Sequence, residues 1–525
     1  MKVFFNGKFI SCEEDNSLFS VLVEDKGKIL YTGNDLPEKY RAFKKQDMNG
    51  KTISPCFGDT HMHFTSACLL SLDVRTCNTI SEVINVMKEY AEKNPKDPVI
   101  GAFGISDHIM LEKRLPTKNE LDQVSDRPVL LVKYDGHAGI LNSSFIEILP
   151  ENLKNHQDLN FSTGECKEEA FQKLCIFAAH KKLLKPSMIF RNIPRLMDQL
   201  GQLGINLIMP VEGLEGDDSP YDLMLALDKQ TPIKVLPFLQ TMDIERAIKK
   251  KCKRVGGCFV NQLDGCFGAK DAALKEAYKD DPNNYGWLVY QQEEVDAFVK
   301  KAHQNKIQLA IHAIGDRAIE QGVNAFDKVL GDTRDNPYRH SIIHGDLFPK
   351  DSIEKAGACQ LYCALQTPFL TWPEEPLEYL EGILGHRAFE KHPLPLMIEA
   401  GITLANGSDH PSSRVNPIMG LYASCNHPNE SYSVDIYTAL KMHTLYPAKL
   451  AHQENRMGSL SPGKVADFVV FNQDLTEMPR ETLKDLQIEA VYYGGKNYRD
   501  HPFRIRPIGL MLGTLRRKFF PESSS

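Results

Sequence analysis

Apolar, strand-like runs alternate with amphipathic, helix-like runs through the middle of this 525-residue chain. Residues 80–94 and 292–305, for example, have the apolar spacing of helices. Strand–helix alternation of this kind favours a parallel sheet with helices packed against it. The strand-like runs are residues 97–104, 127–136, 204–213, 231–240, 306–316, 339–346, 359–368 and 401–411, and one more run leads into His61.

The number of strand-like runs fits a (β/α)8 TIM-type barrel better than the alternative, an open doubly wound sheet. No GxGxxG motif follows a strand, and residues 265–271 are too weak a match for a dinucleotide loop. The two chain ends consist of short, hairpin-like β segments, and chain termini often lie close together. We therefore predict an α/β chain in three parts: a small accessory β-sandwich from residues 1–55 plus 456–500, a barrel from 56–455, and a C-terminal tail from 501–525.

Charge and cysteine usage restrict the partners that we expect. The net charge of −7 argues against nucleic-acid binding, which needs a basic surface. No apolar run is long enough for a membrane-spanning helix, and the first residues do not read as a secretory signal. Twelve cysteines without a CxxC pair predict a reduced, cytoplasmic protein. We expect the basic, apolar tail to pack on the body of the protein or on a second subunit in a homodimer, with a membrane-surface anchor as the alternative.

Polar residues collect where the strand-like runs end. His61 and His63 follow the first run, and His312, His344 and Asp409 end later ones. The carboxyl ends of barrel strands open on one face, and positions i and i+2 of a strand point the same way. Each residue alone has a simpler interpretation, such as a helix cap for the aspartate. The ordered series predicts a site for zinc or a similar divalent metal.

Five segments carry a family resemblance, which covers nearly the whole chain except the tail. The sequence resembles the amidohydrolase superfamily of metal-dependent hydrolases on a (β/α)8 barrel. It is most similar to the amidohydrolase-3 branch, which includes enzymes that deformylate N-substituted formamides. The matching segments are SPCFGDTHMHF at 54–64, YDGHAGILNSS at 134–144, HAIGDRAI at 312–319, GSDHP at 407–411 and GSLSPGKVADFVVFNQD at 458–474.

The resemblance implies a role for each strand-end residue. His61 and His63 would bind the more buried metal, His312 and His344 would be ligands from strands 5 and 6, and Asp409 would be both ligand and general base. In a mononuclear centre, His344 would instead hydrogen-bond the substrate or the hydrolytic water. The implied reaction is hydrolysis of a C–N bond in a small amide, formamide or cyclic amide by metal-activated water. The expected cofactor is zinc, one ion per chain, with two left open.

One departure concerns the lysine whose carboxylated side chain bridges the two metals in binuclear members. Alignment on Asp264 and Gly265 places Val260 at that position. Valine cannot bridge metals, so the sequence predicts either a mononuclear centre or a substitute ligand. The candidate substitutes are Glu212 and Cys266.

Four further residues are predicted substrate contacts: Asp135, His137, Asp264 and Lys270. For each of them the alternative is a hydrogen bond that fixes a loop. The residues around His344, namely Ile343 and Asp346, and the loop with Lys270 and Asp271 depart from the branch pattern, so we expect a changed substrate.

Two other functions stay open. A deaminase on the same barrel usually has a glutamate shortly after the strand 5 histidine. Here Asp316 occupies the near position and Glu320 lies further along. A barrel that has lost catalysis and acts as a scaffold or binding protein would explain Val260, but the retained histidines and Asp409 argue against it.

Overall fold

The computed structural model describes residues 1–181, 183, 186–213 and 217–519. No helix of these residues is long and apolar enough to cross a membrane. The strands are β1 (Lys2–Ile10), β2 (Leu18–Asp25), β3 (Lys28–Gly33), β4 (Lys44–Asp47), β5 (Thr52–Pro55), β6 (Phe57–Met62), β7 (Leu72–Asp73), β8 (Ile100–Ile105), β9 (Val129–Lys133), β10 (Ala138–Leu141), β11 (Glu165–Lys167), β12 (Ile205–Glu212), β13 (Lys234–Val235), β14 (Phe238–Leu239), β15 (Arg254–Gln262), β16 (Gln308–Ala313), β17 (Ser341–His344), β18 (Tyr362–Leu365), β19 (Thr403–Asn406), β20 (Phe468–Phe471), β21 (Ile488–Tyr493) and β22 (Lys496–Asn497).

The helices connect these strands and cover the barrel. Short 3-10 helices occur at Glu38–Tyr40, Thr367–Thr371, Gly385–Phe389, Glu430–Tyr432 and Arg480–Asp485. The α-helices are α1 (Phe64–Leu69), α2 (Ile80–Lys93), α3 (Lys118–Leu121), α4 (Ser143–Ile148), α5 (Glu151–Lys154), α6 (Glu168–His180), α7 (Pro186–Gln202), α8 (Ser219–Leu227), α9 (Ile244–Lys249), α10 (Gln292–Gln304), α11 (Asp316–Leu330), α12 (Lys350–Ala358), α13 (Leu377–Leu384), α14 (Leu394–Glu399), α15 (Pro417–Cys425), α16 (Ile436–His443), α17 (Leu445–Leu450) and α18 (Pro507–Phe519).

Eight strands of the described chain form a nearly closed parallel barrel. Their order is β6, β12, β14, β15, β16, β17, β18, β19, with the two-residue β13 paired to β12 just before β14. Every residue of β6, β12, β16 and β17 is buried, because helices cover the outside and side chains fill the inside. The predicted TIM-type barrel is therefore confirmed.

The accessory sheet combines both ends of the chain, as predicted. Its strand order is β22, β21, β20, β5, β1, β2, β3, and β4 pairs with the remaining length of β1. Phe4 and Phe9 of β1 pack on Phe468 of β20 with ring centroids 5.0 and 6.2 Å apart. Because β5 leads directly into β6, this sheet places the first barrel strand.

The strand prediction was wrong in two respects. Residues 97–104 and 127–136 contribute β8 and β9, which belong to a separate five-stranded sheet, β11-β10-β9-β8-β7, inserted between β6 and β12. The barrel instead uses β15, which was absent from the predicted strands. Its Gly256 and Gly257 interrupt the apolar run that indicates a buried strand. In addition, the periodicity of apolar residues does not tell to which sheet a strand belongs.

The barrel closes between its last and first strands through backbone hydrogen bonds just beyond their ends. The amide of Asp409 donates to the carbonyl of His61 over 2.8 Å, and the amide of His63 donates to the carbonyl of His410 over 2.7 Å. We call this junction between β6 and β19 the seam. Three predicted metal ligands therefore lie on the seam.

Two neighbours of the seam explain its tight fit. The carboxylate of Asp59 accepts hydrogen bonds from the Ser408 amide at 2.9 Å and from the Ser408 hydroxyl at 2.6 Å. A Cβ atom on Gly407 would lie 2.6 Å from the His61 nitrogen, closer than real Cβ contacts. Only glycine lets the two strands approach this far.

The C-terminal tail packs on the body of the protein over part of its length. Helix α18 begins at Pro507, where a proline suits the first helical turn, and lies against α8. Leu510 is buried, whereas Ile508, Leu512 and Leu515 are exposed. Residues 520–525 lie outside the described residues. The predicted homodimer and membrane-surface alternatives stay predictions.

A buried histidine at the amino end of a barrel strand, away from the carboxyl ends, gives a prediction for the pH dependence of stability. His340 precedes β17, and its Nδ1 accepts a hydrogen bond from the Leu309 amide at 3.0 Å. Burial lowers the pKa of His340 from 6.5 to about 3. Below pH 6.5 the unfolded chain therefore binds a proton that the folded chain does not, so stability falls as the pH falls from 6.5 towards 3. We expect His340 to contribute about 1.4 kcal/mol per pH unit to this loss.

The His340→Asn variant, whose side-chain oxygen can still accept from Leu309, tests this expectation. Urea unfolding between pH 5 and 6 should show a pH slope smaller than that of the wild type by about 1.4 kcal/mol per unit. His386→Asn, at an exposed histidine, is the matched control and should leave the slope unchanged. Equal slopes in all three proteins would contradict the prediction.

Candidate metal centre

The five predicted strand-end residues meet at the carboxyl end of the barrel. His61 is the penultimate residue of β6, His63 follows that strand, His312 and His344 belong to the fifth and sixth barrel strands, and Asp409 follows the eighth. All five are buried, and all but His61 line one cavity of about 240 Å³. The structure thus brings together every residue of the predicted series.

Asp409 lies between the first two histidines. Its Oδ1 is 3.0 Å from His61 Nε2 and 3.2 Å from His63 Nε2. Burial opposes ionisation, but these two contacts outweigh it and hold the pKa of Asp409 well below its usual range. The carboxylate is therefore negatively charged at neutral pH.

Three of the four histidines, His61, His312 and His344, are held neutral by burial. Burial lowers the pKa of His61 and of His312, and it lowers the pKa of His344 to about 4. A neutral imidazole has a free nitrogen lone pair, which is the form that binds a metal. His312 and His344 lie side by side, with ring centroids 4.6 Å apart.

A cysteine that the sequence analysis missed lies in the middle of the cluster. Cys258 of β15 has its Sγ 3.2 Å from His61 Nε2 and 3.5 Å from His344 Nε2. Val260 does not line the cavity; its carbonyl accepts a hydrogen bond from the Tyr290 hydroxyl at 2.6 Å. A cysteine directly after Gly256 and Gly257 was the available sequence signal, but it was not seen because β15 itself was missed.

Three overlapping groups of side chains have the spacing of metal ligands. Within each group, one ligand atom per residue lies within 4.8 Å of the others. The groups are His61 with His63 and Cys258; Cys258 with His312 and His344; and His61 with His344 and Asp409.

The donor set and its unsatisfied atoms fit a divalent metal. Asp409 Oδ1 is buried, and among the described residues it has no hydrogen bond of acceptable geometry. An unsatisfied buried carboxylate oxygen is costly, and a cation would remove that cost. Imidazole and thiolate ligands suit zinc and similar borderline ions better than magnesium or calcium.

Two of the five residues have strained backbones. His344 has φ 69° and Asp409 has φ 56°. Both values lie in the left-handed region, which glycine adopts readily and residues with a Cβ atom adopt less often. Each such residue costs on the order of 1 kcal/mol. This strain fits a site whose side-chain directions are fixed by the surrounding strands.

Two of the predicted substrate contacts lie on the cavity wall. Asp135 and His137 come from the turn between β9 and β10 of the inserted sheet, so that sheet reaches over the barrel mouth. Lys133 Nζ pairs with Asp135 Oδ2 at 3.1 Å, and the His137 ring centroid is 6.4 Å from that of His312.

The other two predicted contacts are held away from the cavity. Asp264 is fully buried, and its carboxylate accepts from the amides of Ile314, Gly315 and Ala273 at 3.0, 2.8 and 2.8 Å. Lys270 is partly exposed and forms an ion pair with Asp280. For these two residues the geometry corresponds to the loop-fixing alternative.

The two predicted substitutes for the bridging lysine do line the cavity, but outside the three groups above. Glu212 Oε1 accepts from the Thr65 amide at 2.9 Å, and burial raises the pKa of Glu212 to about 7. Cys266 forms a different group, with His137 and Asp271.

The far wall of the cavity is apolar and comes largely from the insertion between β6 and β12. Phe103 of β8, Leu130 of β9 and Phe171 of α6 line it, opposite the histidine cluster. Phe259 and Phe369 complete an aromatic rim beside His63 and His344. The cavity therefore joins a polar, metal-binding floor to an apolar wall.

Comparisons with known proteins give a consistent result. The family model described as "Amidohydrolase family" matches residues 45–497. The chain is 26% identical to the YtcJ protein of Bacillus subtilis, over 94% of this chain and 99% of YtcJ. It is 22% identical to the N-substituted formamide deformylase of Arthrobacter pascens, over 93% and 96% of the two chains.

A solved structure has the same fold. A metal-dependent hydrolase from Pyrococcus furiosus superposes with a TM-score of 0.72 at 23% identity, covering 91% of this chain and all of the other.

Proposed function

The chain belongs to the amidohydrolase family, and on that premise we propose that it hydrolyses a C–N bond of a small amide, formamide or cyclic amide. Family membership supports a hydrolase, and the histidine cluster supports a divalent metal as cofactor, which we propose to be zinc. The observation that carries the proposal is the buried, ionised carboxylate of Asp409 between His61 and His63 at the cavity floor.

Asp409 has the properties of a general base. A divalent metal bound by this cluster would lower the pKa of a water molecule towards about 7. Asp409, ionised and facing the cavity, accepts the proton of the attacking water and delivers it to the leaving nitrogen. In this proposal His344, neutral and next to Cys258 and His312, binds the metal or hydrogen-bonds the carbonyl oxygen of the substrate.

The cavity wall indicates the substrate class. A cavity of about 240 Å³ admits a small molecule. The apolar wall of Phe103, Leu130 and Phe171 favours a substrate with an apolar substituent. An N-substituted formamide suits both parts of the cavity, because its small formyl group can lie at the polar floor and its substituent can be apolar and lie against the apolar wall. The name of the Arthrobacter pascens relative supports the same class.

Deamination has weaker support. Asp316 accepts a hydrogen bond from the Lys275 amide at 2.8 Å, and Glu320 pairs with Lys275 Nζ at 3.0 Å. Neither carboxylate lines the cavity, so neither is placed to protonate a ring nitrogen there.

A substrate panel tests the proposal. Zinc-loaded protein should release formate and the matching amine from N-alkyl or N-aryl formamides, or cleave N-acyl amino acids or cyclic ureides. We expect kcat/KM to rise with the apolar area of the substituent, by roughly tenfold per 55 Å² buried at 25 cal/mol per Å². Release of ammonia from a ring amine would identify a deaminase instead. No turnover of any compound by fully metal-loaded protein would contradict the hydrolase and favour a binding protein.

A further inference from the structure

We propose that the Cys258 thiolate is a bridging ligand that holds two metal ions in this centre, one beside His61 and one beside His344. The proposal rests on the proposed metal-dependent function and adds to it a sulfur ligand and a second ion. It would replace the lysine bridge that Val260 cannot supply. The sequence predicted one ion per chain, and Cys258 changes that expectation.

The first observation is that Cys258, like His61 and His344, occurs in two of the three ligand groups, and its thiolate sulfur is the one ligand atom of these three with lone pairs for two ions. It lies within 4.8 Å of His61 and His63 in one group, and of His312 and His344 in the other. A side chain common to two groups of metal-ligand spacing is where a bridging atom belongs.

The second observation is the separation of the ligand atoms. Zinc binds sulfur at about 2.3 Å and nitrogen at about 2.0–2.1 Å, so a tetrahedral site separates the two ligand atoms by roughly 3.5 Å. Cys258 Sγ lies 3.2 Å from His61 Nε2 and 3.5 Å from His344 Nε2. Both separations are close to the value expected when sulfur and nitrogen share a metal.

The third observation is that the backbone fixes Cys258 in this place. In the pairing of β15 with β16, Gly257 faces Ile311 and Gln262 faces His312. The four residues 258–261 therefore bulge out between these two consecutive pairs. Such bulges redirect a side chain and are common beside active sites.

A buried glutamine holds the start of this bulge. Gln240 Oε1 accepts from the amides of Cys258 and Phe259, both at 3.1 Å, and Gln240 Nε2 donates to the Gly213 carbonyl at 3.0 Å. Gly257 has φ 145°, and a Cβ atom there would lie 2.4 Å from Gln240 Oε1. The close approach of Gln240 therefore needs glycine before the cysteine.

The surroundings argue against an ordinary buried cysteine. Such a thiol behaves as a small apolar side chain and packs against carbon. Cys258 instead faces two imidazole nitrogens, and a thiol has one proton to donate. Asp409 Oδ1 lies 3.0 Å from the same His61 Nε2, is buried and has no hydrogen bond of acceptable geometry among the described residues, which also suits a cation here.

Cobalt substitution tests the bridge. The metal-free protein is reloaded with Co²⁺ and its metal content is measured by mass spectrometry. We expect two ions per chain and a sulfur-to-cobalt charge-transfer band in the near ultraviolet. Cys258→Ser should abolish this band and reduce the content to one ion, with affinity for the second ion at least about 100-fold weaker.

Cys175→Ser is the matched control, because Cys175 of α6 also lines the cavity but belongs to none of the groups of metal-ligand spacing among the described residues. It should keep both the band and the two ions. A band that persists in Cys258→Ser, or disappears in Cys175→Ser, would overturn the proposal. One ion per chain in the wild type, with a band lost in Cys258→Ser, would make Cys258 a ligand but would overturn the bridge.

X-ray absorption of the wild-type zinc protein gives a test that does not depend on a folded variant. Each zinc should have a sulfur neighbour at about 2.3 Å. Bound zinc without that neighbour overturns the bridge but leaves the hydrolase proposal intact. A wild-type protein that binds no zinc or cobalt would overturn both.

Discussion

Asp409→Asn is expected to lower kcat for the amide or formamide substrate by about 10³- to 10⁴-fold, near the upper end of what loss of a general base costs. Asparagine has nearly the shape of aspartate but cannot accept the proton of the attacking water. The hydrogen bond from the residue 409 amide to the His61 carbonyl is a backbone contact and is retained, so the barrel should stay closed. Steady-state kinetics at saturating zinc measure the effect, because Asp409 is also a proposed ligand.

Asp316→Asn is the matched control for this variant. Asp316 lies at the start of α11 outside the cavity, so its variant should retain kcat within about twofold, as for a residue that does not touch the substrate. If Asp409→Asn kept most of its activity while Asp316→Asn lost it, the base would be misassigned and a deaminase would become the better interpretation.

Removal of the metal should abolish hydrolysis and lower thermal stability. The cluster leaves a charged carboxylate and several neutral imidazoles buried together, an arrangement that a cation stabilises. A metal present at 1,000 times its Kd stabilises the folded state by about 4 kcal/mol. Dialysis against a chelator, followed by differential scanning fluorimetry and an activity assay, measures both effects.

The identity of the ion that restores activity is informative. Zinc or cobalt should restore activity and stability, whereas magnesium should not, because it prefers oxygen ligands in an octahedral arrangement. Full activity after verified removal of the metal would contradict the proposed function. Restoration of activity by magnesium alone would contradict the proposed role of the histidines as metal ligands.

The barrel and its polar strand ends could be predicted because each has a local signal. Buried parallel strands read as apolar runs, and the histidines at 61, 63, 312 and 344 interrupt those runs at their carboxyl ends. The assignment of strands to sheets had no such signal. Residues 97–104 look like barrel strands, but tertiary contacts place them in the inserted sheet.

Cys258 follows two glycines, which is a sequence signal, but its place in the site depends on a bulge that the sequence does not specify. Alignment on Asp264 assumes a regular strand before it and leads to Val260, but residues 258–261 loop out between consecutive pairs of β15 and β16.

Likewise, Asp264 and Lys270 have the residue types of substrate contacts. Whether a carboxylate faces a cavity or three backbone amides is decided by loops that pack only in the folded chain.

The seam between β6 and β19 links the assembly of the barrel to its chemistry. The hydrogen bonds that join the last strand to the first come from the same residues that gather around Asp409. A nascent chain in which β19 has not yet docked therefore has His61 and His63 without their carboxylate. We therefore expect the ion beside His61 to bind with full affinity only after β19 has docked, so that an incompletely folded chain is inactive.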